Sequence, residues 1–310
     1  MPTTQTTGTS AISEEMKTFY SRQLLERALP VLVHGQFGQP RPLPRNGGKS
    51  IEFRRFNVLT ANTTALTEGV TPGGNSLDTS AVTATIAQYG DFIQGSDLLD
   101  LTAFDPVLTE TAQLLGEQAG LSMDHIVRDI LAAGTSVQYA AGRASRITVA
   151  AGDNLTVAEI RKAVRTLKRN KARSLASGDY VAIVEPGVTY DLQGDSDWKT
   201  PSQYSAVQQI FSGEIGRLYG VRFVETTEAV VFSGAGASGI DVYGTIVLGA
   251  NAYGMIPLEG AGLEFLFKPA GSAGTADPLD QRWTSGWKVA FTAKILQDLY
   301  MLRIEHAVSG

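Results

Sequence analysis

The side chains able to do chemistry are few in this sequence and poorly grouped. In IFSGEIGRLYGVRFVETT, Ile210 to Thr227, three glycines spaced G-x-x-G-x-x-x-G stand beside Glu214 and Arg217. A phosphate cradle needs such glycines to deliver the chain into a helix N-terminus, whose free N–H groups meet the anion. The residues that follow, Val221 to Val224, read instead as a strand, so the glycines are expected at turns and joints. His34, His125 and His306 lie far apart, without an H-x-x-x-H spacing and with no cysteine in the chain, and each reads as a packed or surface histidine rather than a zinc ligand. Asp191, Asp195 and Asp197 open like a calcium loop, but Lys199 and Thr200 occupy the places of a ligand and the turn glycine, and Ala206 that of the bidentate Glu. These aspartates are expected in turns. There is no G-x-S-x-G elbow, and no spacing singles out a pair of carboxylates. No catalytic centre, metal or cofactor is predicted.

One charged cluster remains. Arg161, Lys162, Arg165, Lys168, Arg169, Lys171 and Arg173 follow closely in a chain whose 26 basic and 31 acidic residues leave a net charge of -5. Three readings stand: a solvated or salt-bridged helix face, contact with a neighbouring subunit's carboxylates, or contact with nucleic-acid phosphates. The first 40 residues hold only Lys17, Arg22 and Arg27 as bases, so there is no basic arm to condense nucleic acid. Without cysteine there are no disulfides or thiolate nucleophiles, and stability must come from burial or subunit contacts. At 43% hydrophobic and 18% charged the composition is globular. No run is long and apolar enough for a membrane span, and MPTTQTTGTSAISEEM lacks the pattern of a signal peptide, so the protein is expected to be made in the cytoplasm.

The elements that must position these residues follow an α+β order rather than alternating βαβ units. Residues 1–12 are Thr-rich and are expected to form a flexible tail; Ser13 caps a helix that Pro30 ends. Gly38 to Ser50 is a Pro/Gly connector into a two-stranded ribbon, Ser50 to Thr60 with Thr79 to Tyr89, around a long polar loop. Arg54 and Arg55 sit side by side on its first arm, so neither face is plainly a core face. Asp105, Pro106 and Gly134 bound a long helix with a stripe of Leu108, Ala112, Leu115, Ala119, Met123, Ile126 and Ile130, and with Glu110, Glu117 and Asp124 on a solvated side. A short strand at Ser145 to Ala150, a helix opened by Asn154 or Thr156, a strand Asp179 to Pro186, and then mostly strands complete the chain, ending in a long last pair after Gln281.

In this order the chain resembles the major capsid proteins of tailed bacteriophages, the fold named after phage Hong Kong 97, from about residue 13 onward. SEEMKTFYSRQLLERAL and the Pro-rich connector resemble the N-terminal arm, SIEFRRF through ATIAQYG the extended E-loop, and DPVLTETAQLLGEQAGLSMDHIVRDIL the spine helix. LTVAEIRKAVRTL with DYVAIVEPGVTYDL resembles the axial-domain helix and strand, and GEIGRLYGVRFVETTEA with YGTIVLGANAYGMIPL the later axial strands. The resemblance implies an arm at 1–45, an E-loop at 46–90, a peripheral domain at 91–150 with the spine helix 105–133, a mostly axial segment 151–265, and return strands to the peripheral domain at 266–310. It implies a non-enzymatic shell subunit whose partners are its own copies in hexamers and pentamers, a separate scaffolding protein, a portal, a decoration protein as an optional addition, and enclosed double-stranded DNA without sequence specificity. No membrane is involved, and assembly is expected in the host cytoplasm. Candidate contacts between subunits are Arg54, Arg55, Glu68, Glu110, Glu117, Glu214 and Arg217; Arg161, Arg165, Lys168 and Arg169 are candidates for subunit or DNA contact. Lys49 is the only lysine between Lys17 and Lys162, so no lysine at the ribbon tip supports the covalent crosslinking known in some members. A cytosolic carboxylate hydrolase, or a tail or decoration protein, is the alternative.

Overall fold

The computed structural model describes residues 21–309 apart from 23, 26, 29–31, 57–58, 72, 103–106, 176, 196–213, 273 and 275–276. The expected tail, Ser13, Pro30, the Asp105–Pro106 helix start and Asp197 lie outside the described residues. The described residues of 21–28 are helical. They are followed by β1 (Gln39–Pro40), β2 (Ser50–Phe56), β3 (Thr79–Thr85), β4 (Ala87–Ser96), α1 (Asp97–Thr102), α2 (Val107–Ala132) and β5 (Val137–Tyr139). Then come α3 (Val157–Arg169), β6 (Tyr180–Val184), α4 (Pro186–Gly194), β7 (Glu214–Leu218), β8 (Val221–Glu225), β9 (Val230–Phe232), β10 (Val242–Leu248), β11 (Tyr253–Pro257), β12 (Glu264–Lys268), β13 (Arg282–Ile295) and β14 (Met301–His306).

The strands form two large sheets and the ribbon. One sheet runs β5-β14-β10-β6-β8-β7, with β9 also on β10; in the other, β13 carries β4 along one side and β12 and β11 along the other, with β1 beyond β11. The expected last pair is therefore split: β13 and β14 lie in different sheets, and β14 pairs with β10. The period of two in β6 explains its place, because Val181 and Ile183 face one apolar cluster and Tyr180, Ala182 and Val184 the other. The first cluster joins α2 to both sheets; the second seats α3 and α4 on the far face of the seven-stranded sheet.

The 26 residues of α2 make a rod of ~39 Å. Its buried side begins as expected with Ala112, Leu115 and Ala119, then turns to Asp124, Val127 and Leu131, leaving Met123, Ile126 and Ile130 half-buried. Each buried leucine here contributes about 1.5–3 kcal/mol. Gly116 and Gly120 lie on the same side because the helical residues near Leu24 and Ala28 pass against them. A Cβ would stand 2.4 Å from the Leu24 carbonyl oxygen at Gly116 and 2.6 Å from that of Ala28 at Gly120.

Two local expectations are corrected. Asp124, expected on a solvated side, is fully buried: its carboxylate accepts the Val33 and His34 N–H groups at 2.8 and 2.7 Å and meets His34 Nδ1 at 2.6 Å. A buried carboxylate is stable only when so satisfied, and its donors lie 91 and 90 residues away in sequence. Residues 145–150 form no strand. Arg146–Thr148 is a 3₁₀ turn closed by a Ser145–Thr148 capping box, and Arg143 clamps Asp153 at 2.7 Å, so local side-chain bonds displace sheet pairing. Chiefly through its hydrogen bond, Arg143 also holds the Asp153 carboxyl below the usual carboxylate range.

Candidate assembly and nucleic-acid surfaces

β2 and β3 pair antiparallel from Ser50 against Thr85 to Phe56 against Thr79. One face at the base is a core face after all: Phe53 and Ala84 are buried with Leu43 and Ile256, and Ile51 and Val82 pack beside them. Every described residue from 59 to 78 is exposed, and Leu59, Leu66, Val70 and Leu77 show more than half of their surface to solvent. An exposed loop with four large aliphatics and no core of its own is a candidate contact surface. Glu68 lies on this loop, and Arg54 reaches Glu52 at 3.4 Å with both side chains exposed, a pair worth little alone. Arg55 lies on β2, its side chain outside the described residues.

Glu110 and Glu117 are exposed on α2, as expected. Glu214 opens β7, with its side chain likewise outside the described residues. Arg217 is not free: it reaches the buried Asp179 at 2.8 Å, and Arg222 holds the other carboxylate oxygen at 3.1 Å. Gly213 lies outside the described residues, and the other two glycines act as joints. Gly216 sits at an irregularity in the β7–β8 pairing, and Tyr219 and Gly220, at φ 50° and 77°, make the two-residue hairpin turn.

The basic helix α3 buries Val157, Ile160, Ala163, Val164 and Leu167 and turns Arg161, Arg165, Lys168 and Arg169 outward. These four line one open depression with Val164 and Tyr219, and Arg161 stands 5.3 Å from the Tyr219 ring centre. Among the described residues none of the four forms an ion pair with an acid; Lys162 alone does so, with Glu159 at 2.6 Å.

His34 and His306 are packed, while His125 is part-exposed and meets Glu228 at 2.6 Å. His306 lies between Thr245 Oγ1 and the Ala307 carbonyl, each at 2.9 Å, and burial lowers its pKa to about 4. Asp191 accepts hydrogen bonds from Ser309, and Asp195 lies 3.5 Å from the Val157 N–H, an anchoring role for both.

Sequence reasoning missed a buried ionic knot. Glu305 takes two bonds from Arg146, at 2.7 and 2.8 Å, and one from Arg303 at 2.8 Å, with the Phe232 ring 3.4 Å from the Arg146 guanidinium. Burial opposes the charge of Glu305, but the two guanidiniums overcome it and hold its pKa below the ordinary value. The one local signal was Arg303 and Glu305 two apart, hence on one face, alternating with the apolar Leu302 and Ile304 in the strand MLRIEH.

With these surfaces in place, comparison with known proteins decides the family. The family model for phage capsid protein matches residues 37–254, which is most of the chain. The chain belongs to the phage capsid protein family. No curated protein matches it. The capsid of Ralstonia phage GP4 is similar in structure at 14% identity and TM-score 0.70, over 100% of this chain and 96% of that one. The capsid of cyanophage Pam1 is similar at 15% identity and TM-score 0.69 over 90% of each chain, and that of cyanophage P-SCSP1u at 15% and 0.67 over 90% and 89%. This capsid protein thus has the Hong Kong 97-like fold, mixed helix and sheet, and its role is structural rather than enzymatic. It is a major capsid subunit of a phage head shell, which removes the hydrolase and the tail or decoration readings.

Proposed function

We propose that copies of this capsid protein, grouped as hexamers and pentamers, close around the double-stranded DNA of a tailed phage, and that the ribbon joins one copy to the next. The observation that carries this is the loop of residues 59–78: exposed at every described position, studded with large aliphatics, and carried on a ribbon whose base packs against Leu43 and Ile256 through Ile51, Phe53, Val82 and Ala84. Shell contacts must be individually weak so that errors anneal, and many small contacts on one extended element supply that. On this reading Arg54, Arg55 and Glu68 serve the ribbon's contacts and Glu110, Glu117 and Glu214 those of the body, with Arg217 holding Asp179 while its exposed side meets a neighbour. Residues 1–45 serve as the arm, 46–90 as the E-loop, 91–150 and much of 266–310 as the peripheral domain, and 151–265 as most of the axial domain, with β14 joining the axial sheet. A separate scaffolding protein, a portal, a decoration protein where the head carries one, and assembly in the host cytoplasm belong to the same reading.

Velocity sedimentation with negative-stain imaging of the fastest fraction tests it. Closed shells are expected when the protein is made with its scaffolding partner. Tubes, rings or a small oligomer of fixed size under that condition would overturn the reading.

A further inference from the structure

We propose that the exposed stripe of α3, with Tyr219 beside it, is the surface on which the subunit meets the phosphates of the enclosed DNA; this rests on the shell reading above. Arg161, Arg165, Lys168 and Arg169 recur at intervals of four, three and one, which places them on one helix face along ~12 Å. The face is held rigidly, because Ile160, Ala163, Val164 and Leu167 are buried against the sheet. The one acid of α3, Glu159, is buried and taken up by Lys162 at 2.6 Å and Gln138 at 2.7 Å, so nothing on the helix neutralises the stripe. Favourable interaction with the helix dipole accounts for cations in the last turn, Lys168 and Arg169, but not for Arg161 and Arg165 further in.

The depression between α3 and the β7–β8 turn is lined by the four cations, Val164 and Tyr219, with no acid among them. Tyr219 takes a left-handed turn conformation there and is 48% exposed. Guanidiniums bind phosphate oxygens bidentately, and a tyrosine hydroxyl adds a further phosphate donor, a combination that grips the backbone without reading bases. A second copy of the chain suits the stripe less well. Four like charges desolvated against protein would each need a matching carboxylate held in register, whereas a duplex presents phosphates at regular spacing along its whole length. A patch of four cations on a chain of net charge -5 can hold DNA without the broadly basic lining that would stall its entry.

The test uses the full chain, kept dilute and unassembled, against a fluorescent duplex of about 30 base pairs of mixed sequence, with fluorescence anisotropy read between about 50 and 200 mM salt. Four phosphate contacts predict a log–log salt slope of about -3.6 for the unaltered protein. In Arg165→Glu/Lys168→Glu, affinity at the lowest salt is expected to fall by about tenfold or more and the slope to become shallower by about 1.8. Shell assembly, read separately by sedimentation, is expected to persist. The neutral pair Arg165→Gln/Lys168→Gln, with unchanged circular dichroism, is expected to weaken DNA binding in the same direction and separates charge loss from misfolding. Unchanged affinity in folded charge-reversed protein overturns the proposal, and so does loss of shells in such protein, which would assign the stripe to contact between copies. Failure of the unaltered protein to form shells counts against the shell reading instead, and appears in the sedimentation arm alone.

Discussion

Leu59, Leu66 and Leu77 on the ribbon loop stand more than half exposed, whereas Leu115, Leu131 and Leu248 in the body are at most 2% exposed. The charges divide in the same way. Arg54 meets Glu52 in solvent at 3.4 Å, while Arg146 and Arg303 enclose a fully buried Glu305 at 2.7–2.8 Å. The body uses apolar and charged side chains to fix one conformation of its own chain. The ribbon loop instead leaves its large aliphatics in solvent, as the proposed contact with another molecule requires. On the proposed function, folding and assembly fall to different residues, and each can be attacked without the other.

The largest effect on the body is expected from Glu305→Ala, which leaves two guanidiniums without their shared carboxylate. Removing one partner from a buried ionic group costs about 3–5 kcal/mol, to be read as a lower urea midpoint. A loss below about 0.5 kcal/mol would mean that the knot is not what holds β14 and the 3₁₀ turn together.

A smaller, pH-bounded effect belongs to His306. Its pKa is about 4 when folded, against about 6.5 unfolded. Between those values the unfolded chain holds a proton that the folded chain lacks, so stability from this group is fully present above pH ~6.5 and lost as pH falls towards 4. The slope is about 1.4 kcal/mol per pH unit, totalling about 3 kcal/mol. Urea titrations of the unaltered protein and His306→Asn should therefore diverge in slope through that window, and parallel curves would contradict the assignment.

What could be read from the sequence follows the same division. The ribbon was legible because its Thr-, Gly- and Asn-rich loop can build no core, and α2 because a stripe at helical spacing is a local property. Its second half was misread at Asp124, since a carboxylate in that pattern looks solvated until donors 91 and 90 residues away are brought to it. Arg146 and Glu305, 159 residues apart, carried no joint signal for the same reason. The turn at Arg146–Thr148 defeated a strand reading because the Ser145 and Thr148 side chains offer the backbone a local alternative. Among the candidate contacts, Glu68, Glu110 and Glu117 proved exposed, but Arg217 had a partner in Asp179 that spacing could not reveal.

The smallest effect on folding and the largest on assembly are expected from one variant, deletion of Ala61 to Asp78. Urea denaturation and velocity sedimentation of the same preparation test the division most directly. The prediction is an unfolding free energy within about 0.5 kcal/mol of the unaltered protein, together with loss of the shell fraction. Intact shells from the shortened ribbon would contradict the account.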